Sequence, residues 1–535
     1  MQTDEPYDQA ALIAALLQPA RYPHPVAAID HLQTHISHIL LAGDYAYKVK
    51  KPLNLGFLDF TSPARRKYYC EEELRLNGRL APDLYLDCVP ISGSTAEPRL
   101  GDGAGPVIDY AVRMRRFSQT ALLDHLLAAG KLDLHHLDAL AERLAEFHRA
   151  IPAADPATPF GTPEQVQQPM LDNFRHTRPL LNEPADLATL AEVERWTLDA
   201  FARLCPLLAE RKVGGWIREG HGDLHLGNMV LTESGRVMIF DCIEFNEDFR
   251  WIDVINDLAF LIMDLRSRQA VPFAQRVLNA YLEASGDFTG AVLLDYYQVY
   301  RAMVRAKINA IQAGQAGIPE AARMAAAEQC RAYLRLALTL TRPEAPFLVI
   351  THGVSGSGKS RRTGQLLETF PGAIRIRSDV ERKRLFGLGP LDDSRSALGQ
   401  GLYTPEVSAR TYQRLLDLAD GLLAAGHPVL VDATFQKRDH RRPFRELAAR
   451  HGVPFILLDC SADPAILRER VAARRARGDD AAEADVAVLE RQLRYDEPPG
   501  ADEQPLTTRS DGDLTWLQAA IRQAAAAEPG TVPGS

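Results

Sequence analysis

Two short segments of this chain have the residue types and spacing of phosphate-handling sites. The first reads His-Gly-Asp-Leu-His-Leu-Gly-Asn over His221–Asn228, and an apolar run that ends in Asp241 follows it. The second reads Gly-Val-Ser-Gly-Ser-Gly-Lys-Ser over Gly353–Ser360 and follows the apolar run 347–350. The first segment combines acids with an amide, and the second combines a glycine loop with a lysine. These are two different arrangements for transferring a phosphoryl group. The sequence therefore predicts two ATP-using sites in one chain.

The first segment contains two candidate metal ligands. Strand-like residues 229–231 and 236–240 flank the turn residues 233–235, which predicts a β-hairpin. In that hairpin Asn228 and Asp241 would lie side by side. An amide oxygen and a carboxylate are hard ligands that suit Mg²⁺ carrying ATP phosphates. We therefore expect one or two magnesium ions here, and the same at the second site.

Asp223 is the candidate base of the first site. It lies five residues before Asn228 on the preceding loop, where its carboxylate could orient a substrate hydroxyl and accept its proton. His221 and His225 would help to hold that loop. The alternative interpretation is that these acids and histidines form a buried polar network without a catalytic role.

Upstream of this segment, a lysine and a glutamate are candidates for a phosphate clamp. Lys48 in the strand-like segment 46–51 could neutralise nucleotide phosphates, and Glu73 in the helical segment 70–76 could hold that lysine by an ion pair. The sequence leaves alternatives open for both partners: Lys50 or Lys51 in place of Lys48, and Glu71 or Glu72 in place of Glu73.

The order of these residues resembles that of a known family. A lysine, a glutamate, His-x-Asp-x4-Asn and then an aspartate follow one another as in the protein-kinase architecture. Over about residues 30–330 the chain is similar to the aminoglycoside phosphotransferase-like branch of that superfamily, whose loop reads His-Gly-Asp-Leu-His-x-Gly-Asn. The resemblance implies a bilobal fold with ATP between the lobes, and a hydroxyl group of a small molecule or protein as acceptor. It also implies that Val112–Arg115, which includes Met114, is the inter-lobe hinge that binds adenine.

Two features depart from the kinase pattern. No Gly-x-Gly-x-x-Gly loop precedes Lys48, and Gly43 is the glycine nearby, so the phosphates must be covered differently. After Asp241 the chain reads Cys242-Ile243-Glu244 in place of Phe-Gly, as is usual for the phosphotransferase branch.

The second segment has the context of a P-loop, with a strand before it and a segment that can be helical, 361–369, after it. Its glycines let backbone N–H groups close around the β-phosphate, while Lys359 would bridge phosphates and Ser360 would ligate Mg²⁺. The alternative is a glycine loop that binds nothing. The residues predicted to bind the ATP phosphates are Gly353, Ser355, Gly356, Ser357, Gly358, Lys359 and Ser360.

Residues after the P-loop favour a kinase. Asp432 ends an apolar strand and is a candidate to support the metal ion. Asp379 ends another strand and could be the base, with Arg382 clamping an anion. An arginine-rich helical segment that includes Arg474 and Arg477 could close over the phosphates as a lid and bind ATP. The alternative for these arginines is a solvated helix face.

Residues 345–525 resemble the group of P-loop kinases, within the AAA family of ATP-binding proteins, that includes zeta-toxin-like, polynucleotide 5′-hydroxyl, gluconate and chloramphenicol kinases. The matching features are Ser378-Asp379-x-x-Arg382, Asp432-Ala433-Thr434-Phe435 and the arginine-rich lid. The resemblance implies phosphorylation of a small substrate, and it leaves a 5′-hydroxyl end of a nucleic acid open as acceptor. The sequence lacks an Asn-Lys-x-Asp element, which argues against a GTPase.

The elements that position these residues predict two domains of different fold classes. Before the proline-rich boundary 341–346, the pattern favours an α+β, protein-kinase-like bilobal domain over 1–340. Its N-lobe is strand-rich to about residue 115, and its C-lobe over 118–340 is mostly helical. After the boundary, strands alternate with helices, which is typical of an α/β P-loop NTPase domain with a parallel sheet, over 345–525. The predicted strands are 36–41, 45–49 and 108–114, then 347–350, 373–376, 428–431 and 454–459.

Composition limits the remaining function classes. The chain has 535 residues, 46% hydrophobic and 24% charged, with a net charge of −9. Such a charge argues against a general nucleic-acid or anionic-membrane binder. Six scattered cysteines without zinc spacing indicate reduced thiols, and the first residues lack the pattern of a signal peptide, so we expect a cytoplasmic protein with no membrane partner. The Ala/Pro/Gly-rich residues 526–535 are predicted to be a disordered tail.

The main hypothesis from the sequence is a bifunctional ATP-dependent phosphotransferase that acts on hydroxyl groups of small molecules. A second hypothesis is one catalytic kinase half regulated by a nucleotide-sensing P-loop half. A third is a toxin-like or scaffold protein that binds ATP for structure. The tyrosines and arginines of 296–305 could line an acceptor pocket, or could be half core and half surface.

Overall fold

The computed structural model describes residues 8–526, with gaps at 57, 102, 104, 316, 343, 393–401, 403, 478–479, 505 and 510–513. The tail predicted over 526–535 therefore lies, apart from the helix end at residue 526, outside the described residues. The chain forms two compact units. Unit 1 comprises residues 1–136, 150–168 and 205–261, and unit 2 comprises 137–149, 169–204 and 262–535. The domain boundary at 341–346 stays a prediction.

The first part of unit 1 is built on a six-stranded antiparallel sheet with the strand order β1-β2-β3-β6-β4-β5. The structure confirms the strands expected near 36–41, 45–49 and 108–114 as β2, β3 and β6, whereas β1, β4 and β5 have no predicted counterpart. The strands are β1 (Ile29–Gln33), β2 (Ser37–Ala42), β3 (Tyr45–Lys50), β4 (Tyr85–Gly93), β5 (Pro98–Leu100) and β6 (Val107–Arg115).

Alternation along β3 sorts its side chains onto two faces. Tyr47 and Val49 lie in a buried apolar cluster with neighbouring strands, together with Leu40 and Ile91. Lys48 and Lys50 have the other parity, and both are buried. The strand therefore presents two lysines side by side on one covered face.

Helix α2 (Pro63–Asn77) covers that face with a polar stripe. It begins at the cap Ser62, whose side chain accepts from the Arg65 N–H, and Pro63 occupies its first turn. Its buried positions include Arg66, Cys70, Glu73 and Asn77, which repeat at the helical spacing. A helix that buries charge in this way must have partners for it across the packing surface.

Helices make up most of the segment from 118 to 340, as the pattern predicted. Tyr296 and Tyr297 are fully buried in α9, which favours the core interpretation of that segment. The helices are α1 (Gln9–Leu16), α3 (Leu123–Ala128), α4 (Leu134–Ala150), α5 (Pro163–Thr177), α6 (Pro184–Val213), α7 (Val254–Ser267), α8 (Val271–Ser285), α9 (Leu294–Gly314) and α10 (Glu320–Leu340). Four short strands lie among them: β7 (Ile217–Glu219), β8 (Met229–Leu231), β9 (Val237–Ile239) and β10 (Trp251–Asp253).

The last part of unit 2 is a five-stranded sheet with the order β12-β13-β11-β14-β15, and every neighbouring pair is parallel. The predicted α/β fold class is therefore confirmed. Its strands are β11 (Leu348–His352), β12 (Ile374–Arg377), β13 (Val429–Asp432), β14 (Phe455–Ser461) and β15 (Leu506–Arg509). Its helices are α11 (Lys359–Leu367), α12 (Ser378–Arg384), α13 (Pro405–Ala424), α14 (Arg438–His451), α15 (Pro464–Arg477), α16 (Val486–Tyr495) and α17 (Thr515–Ala526).

The edge of this sheet at β12 is covered by α8. The Gln275 side chain donates to the Ala373 carbonyl at 3.1 Å and accepts from the Gly372 N–H at 3.0 Å. One turn later, Asn279 donates to Ala373 at 3.1 Å and accepts from the Arg375 N–H at 2.8 Å. An edge strand presents unpaired backbone groups, and here two side-chain amides satisfy them.

Among the described residues, no helix is long and apolar enough to cross a membrane.

Candidate active sites

A buried ion-pair cluster lies at the centre of the first site. The Glu73 carboxylate accepts from Lys48 Nζ at 2.8 Å and from Lys50 Nζ at 2.6 Å. Lys48 Nζ also lies 2.6 Å from Asp241 Oδ1, and Lys50 forms a second pair with Glu244. The structure thus brings together Lys48, Glu73 and Asp241 as predicted.

The structure distinguishes the lysine and glutamate candidates that the sequence left open. Lys50 shares Glu73 with Lys48, so both lysines of that face contact the same carboxylate. The remaining candidates have surface partners: Lys51 donates to the Thr34 carbonyl, Glu71 pairs with Lys67, and Glu72 pairs with Arg75.

The opposite charges of this buried cluster keep its members ionised. Burial alone would raise the pKa of Glu73, but Lys48 and Lys50 outweigh it and hold the pKa at about 2. Burial likewise opposes the charge of Lys48, and Asp241 and Glu73 outweigh it, so the pKa of Lys48 lies well above its usual range. Both groups are therefore ionised near neutral pH, which is the state a phosphate clamp needs.

The predicted hairpin is confirmed. Strands β8 and β9 pair antiparallel, and the Phe240 N–H donates to the Asn228 carbonyl at 2.9 Å. Asp241 follows β9 with φ of 64°, in the left-handed region that few residues other than glycine adopt. That conformation turns the strand end sharply, and about half of the Asp241 side chain stays exposed although Lys48 contacts it.

Asp223 and Asn228 are in direct contact. The Asn228 amide nitrogen donates to the Asp223 carboxylate at 2.9 Å and to its carbonyl at 3.0 Å. His225 Nε2 lies 3.4 Å from the same carboxylate. In the part of the chain that the structure describes, Asn228 Oδ1 has no hydrogen bond, so this oxygen and the exposed Asp241 carboxylate fit the ligand set predicted for Mg²⁺.

Hydrogen bonds to a helix residue and within the loop fix the backbone of the loop that carries Asp223. Asp257 of α7 accepts from the His221 and Gly222 N–H groups at 2.7 and 2.9 Å. The His221 ring accepts from the Asp223 N–H at Nδ1 (3.2 Å), so its Nε2 donates to the Phe240 carbonyl at 2.9 Å. Burial lowers the pKa of His221, which suits this neutral tautomer. Asp257 was not among the predicted site residues, although an acid in a largely apolar helix was a usable signal.

Met114 lies at the end of β6, opposite Ala46 and Tyr85 in the sheet register. Its side chain is buried in an apolar cluster that also contains Val230 and Met238 of the hairpin. It is thus part of the wall beside the hairpin, and its contact with adenine stays a prediction.

The P-loop of the second site joins β11 to α11 and depends on its glycines. Gly353 has φ of 133°, and a Cβ there would lie 2.3 Å from the Cys460 carbonyl. Gly358 has φ of 95° and forms the cap of α11. The Gly353 N–H donates to the Thr434 carbonyl at 3.1 Å, which ties the loop to the segment after β13. No larger residue fits at the first position without moving the backbone.

Lys359 and Asp432 are buried within this site. Lys359 Nζ donates to the Val354 carbonyl at 2.8 Å, and burial lowers the pKa of Lys359 while Asp432 and Asp379 partly oppose the shift. Asp432 Oδ2 and Ser357 Oγ are buried and have no hydrogen-bond partner among the described residues. Buried polar atoms without partners cost stability, so these two fit a site that is completed by a bound nucleotide and cation.

Most of the predicted residues around this loop line one cavity of about 450 Å³. Its lining includes Ser355, Gly356, Gly358, Lys359, Ser360, Asp379, Arg382, Asp432 and Arg474. The arginine-rich segment is helical as predicted and forms α15, whose Arg470 lies 3.4 Å from the Gly356 carbonyl. Its role as a lid stays a prediction. The side chain of Arg477 lies outside the described residues. Gln492 was missed: its Oε1 accepts from the Ser355 N–H at 2.8 Å.

A charged network that the sequence analysis also missed borders this cavity. Glu283 at the end of α8 accepts from Arg377 at 2.7 Å and lies 3.4 Å from Arg375. Arg377 in turn donates to Asp480 at 2.6 Å, just after the lid helix. Arg375 donates to the Ser360 carbonyl at 3.2 Å. Gln275, Asn279 and Glu283 repeat every fourth residue, and that polar stripe was the available signal.

Two family models match the chain. The model described as phosphotransferase enzyme family matches residues 57–294, and the model described as AAA domain matches residues 348–499. The first range contains Glu73, Asp223, Asn228 and Asp241, and the second contains the whole P-loop. The first range also contains α8, whose side chains cover the sheet edge in unit 2.

The chain is similar to a relative over most of its length and to solved structures over parts of it. An uncharacterized protein of Mycobacterium tuberculosis is 32% identical over 477 residues, which cover 88% of this chain and 92% of the relative. Among solved structures, a choline/ethanolamine kinase family protein from Mesorhizobium loti is 12% identical, with 62% of this chain and 98% of that chain covered and a TM-score of 0.36. The APS kinase of Mycobacterium tuberculosis is 22% identical, with 35% and 100% covered and a TM-score of 0.25.

Both domain matches are to kinase-type families, which use ATP and typically a divalent metal ion. The chain belongs to the same family as the mycobacterial relative, and it carries a phosphotransferase enzyme family domain followed by an AAA-type P-loop kinase domain.

Proposed function

We propose that the chain is a bifunctional kinase in which each domain transfers the γ-phosphate of Mg-ATP to a hydroxyl group of a small molecule. The observation that carries the proposal is that each site gathers a lysine, an acid suited to act as base and an acid suited to bind metal. Lys48, Asp223 and Asp241 form the first set, and Lys359, Asp379 and Asp432 the second.

In the first site, Glu73 holds Lys48 in place to neutralise nucleotide phosphates. Asn228 Oδ1 and the Asp241 carboxylate would hold Mg²⁺, which neutralises charge that develops on the phosphates. Asp223 would accept the proton of the acceptor hydroxyl, and Asn228 keeps its carboxylate oriented. The direct Lys48–Asp241 contact at 2.6 Å would open to admit phosphate between the two groups.

In the second site, backbone N–H groups of the P-loop and Lys359 would hold the β- and γ-phosphates. Ser360 and Asp432 would hold Mg²⁺, and Asp379 would take the acceptor proton. Arg470 and Arg474 of α15 would neutralise the transferring group. The contact of Arg470 with the loop and the position of Arg474 in the lining of its cavity support this role.

The test is transfer of labelled γ-phosphate from Mg-ATP into a fractionated cytosolic metabolite extract. Wild type is compared with Asp223→Asn, Lys359→Ala and the double variant. Exposed residues provide matched controls, Glu233→Gln in the hairpin turn and Lys437→Ala beside α14. Each catalytic variant should lose a different labelled product, and the controls should lose none. Unchanged products in Asp223→Asn and Lys359→Ala would refute the proposal.

A second candidate function, one catalytic half regulated by a nucleotide-sensing P-loop half, has a specific observation in its favour. Helix α8 belongs to the range that matches the phosphotransferase family, yet its Glu283 pairs with Arg377 beside the P-loop cavity. Under this function, Asp223→Asn abolishes every product and Lys359→Ala changes the dependence of the rate on ATP concentration.

A further inference from the structure

Unit 2 also contains a cavity of about 840 Å³ at the other end of the parallel sheet. Its lining includes residues 371–372 and 426–428, which precede β12 and β13, whereas the P-loop follows the carboxyl end of β11. The ends of α7 and α10 and one face of α9 form its other walls. It shares no lining residue with the P-loop cavity.

Arg266, at the end of α7, is the unusual residue of this cavity. Its side chain is partly buried, its Nε is fully buried without a hydrogen-bond partner, and no carboxylate of the described residues lies within 4.0 Å of it. Burial lowers the pKa of Arg266, and Asp295 and Glu344 oppose that shift only from a distance. An enclosed guanidinium without a hydrogen-bonded counter-ion is costly, because a protein interior replaces its hydration poorly.

The rest of the lining is also rich in cations. Five arginines and two carboxylates line the cavity, a formal excess of three positive charges. They are Arg266, Arg268, Arg305, Arg335 and Arg342, with Asp295 and Glu344. Two of the arginines form exposed pairs with acids outside the lining, Arg335 with Glu328 and Arg342 with Glu192, whereas Arg268 pairs with the buried Asp264. Exposed pairs of this kind are weak, so they leave the cavity attractive to an anion.

One wall of the cavity is apolar and could contact a ligand larger than a simple anion. Val271, Leu336 and Leu340 line the cavity beside the ring of Tyr333, over which the Arg305 guanidinium lies at 5.8 Å. The volume is within the range of about 300–1,000 Å³ that small-molecule sites occupy. Guanidinium groups match the geometry of phosphate oxygens, and a phosphate carries close to two negative charges near neutral pH.

We infer that this cavity is a binding site for a small phosphate-bearing molecule, separate from both kinase sites, with Arg266 as the partner of the phosphate. The assignment does not depend on the proposed function, because it concerns residues that neither kinase site uses. The apolar wall at Leu336 and Tyr333 would contact the part of the ligand beyond the phosphate.

The test is calorimetric titration of the full chain with inorganic phosphate at constant ionic strength. Saturating Mg·AMPPNP is present throughout, so that the nucleotide sites are occupied. The compared proteins are wild type, Arg266→Gln and the neighbouring lining variant Arg268→Gln. Saturable binding to wild type should weaken about tenfold or more in Arg266→Gln, the effect of losing charge-assisted hydrogen bonds, and by less than about threefold in Arg268→Gln.

A thermal unfolding series gives an independent measurement. Phosphate should raise the unfolding temperature of wild type and leave that of Arg266→Gln unchanged, because only a protein that binds the ion is stabilised by it. In phosphate-free buffer Arg266→Gln should be at least as stable as wild type, since it removes a partly buried charge that has no carboxylate partner.

The inference would be overturned if wild type bound no phosphate saturably, or if wild type and Arg266→Gln bound phosphate with equal affinity. It would also be overturned if wild type bound citrate as tightly as phosphate, because the cavity would then not select a phosphate group. If Arg266→Gln does not fold, Arg266→Lys takes its place. That variant keeps the charge and loses the planar fork, so it should still weaken phosphate binding severalfold, and an unchanged affinity would refute the role of Arg266.

Discussion

The Glu283 carboxylate lies 2.7 Å from the Arg377 guanidinium, although the two residues belong to ranges matched by different family models. Arg377 also holds Asp480, next to the lid helix. Burial would raise the pKa of Glu283, but Arg377 and Arg375 lower it, so the carboxylate is ionised. A helix of the phosphotransferase range thus fixes a charged residue beside the P-loop site.

Replacing this carboxylate should therefore impair the P-loop kinase. In Glu283→Gln we expect the product lost in Lys359→Ala to form about tenfold more slowly, because Arg377 loses a charge-assisted partner and no longer fixes Asp480. Labelled phosphate transfer measures this rate. The control Glu146→Gln removes an exposed carboxylate of α4 and should leave the rate unchanged. An unchanged rate in Glu283→Gln would show that the pair has no part in that site.

The buried pair of Glu73 and Lys48 should make stability depend on pH at the acid end. The pKa of Glu73 is about 2 in the folded chain and about 4.3 in an unfolded one, so its contribution is complete above the unfolded value and lost as pH falls towards 2. We expect Glu73→Gln to be less stable than wild type at pH 7 by on the order of 3 kcal/mol, with the difference shrinking below about pH 4.5. Urea unfolding at several pH values measures this; a difference that stays constant down to pH 3 would contradict it.

His352 should have the opposite pH dependence. Its Nδ1 lies 2.7 Å from Asp459, and Asp496 is 3.4 Å from its Nε2. Burial lowers the pKa of His352, but these two carboxylates outweigh it and raise the pKa above 6.5. The stabilisation is therefore present below the unfolded value and is lost as pH rises through the raised one. In His352→Gln the fall in stability above pH 6.5 should be reduced, and an unaltered pH profile would contradict the assignment.

Two glycines provide a matched pair for backbone strain. Gly353→Ala places a Cβ 2.3 Å from the Cys460 carbonyl at a positive φ, so it should cost about 2 kcal/mol or more and weaken nucleotide binding at the P-loop. Gly421 lies inside α13 with nothing within 4 Å of its added Cβ, so Gly421→Ala should stabilise by about 0.5–1 kcal/mol. Thermal unfolding and ADP titration measure both effects. Equal stability of the two variants would contradict the argument.

The sequence by itself determined the features that depend on neighbours along the chain. The P-loop consists of a strand, a glycine loop and a helix that follow one another in the chain, so the local sequence was sufficient to predict it. The hairpin between Asn228 and Asp241 was predictable for the same reason, because a turn lies between two short apolar runs. The five-stranded parallel sheet followed from alternation of strands and helices, except β15, whose residues have no distinctive apolar run.

Only the tertiary structure decided which charges meet. Three lysines lie close together in the sequence, Lys48, Lys50 and Lys51, and their residue type does not distinguish them. The alternation of β3 places Lys48 and Lys50 on the face that α2 covers. Asp257 and Glu283 are ordinary helical acids in sequence, and their partners come from segments 36 and about 94 residues away. Contacts across such distances leave no local pattern, because a buried charge is costly without a partner and only the folded chain brings that partner into contact.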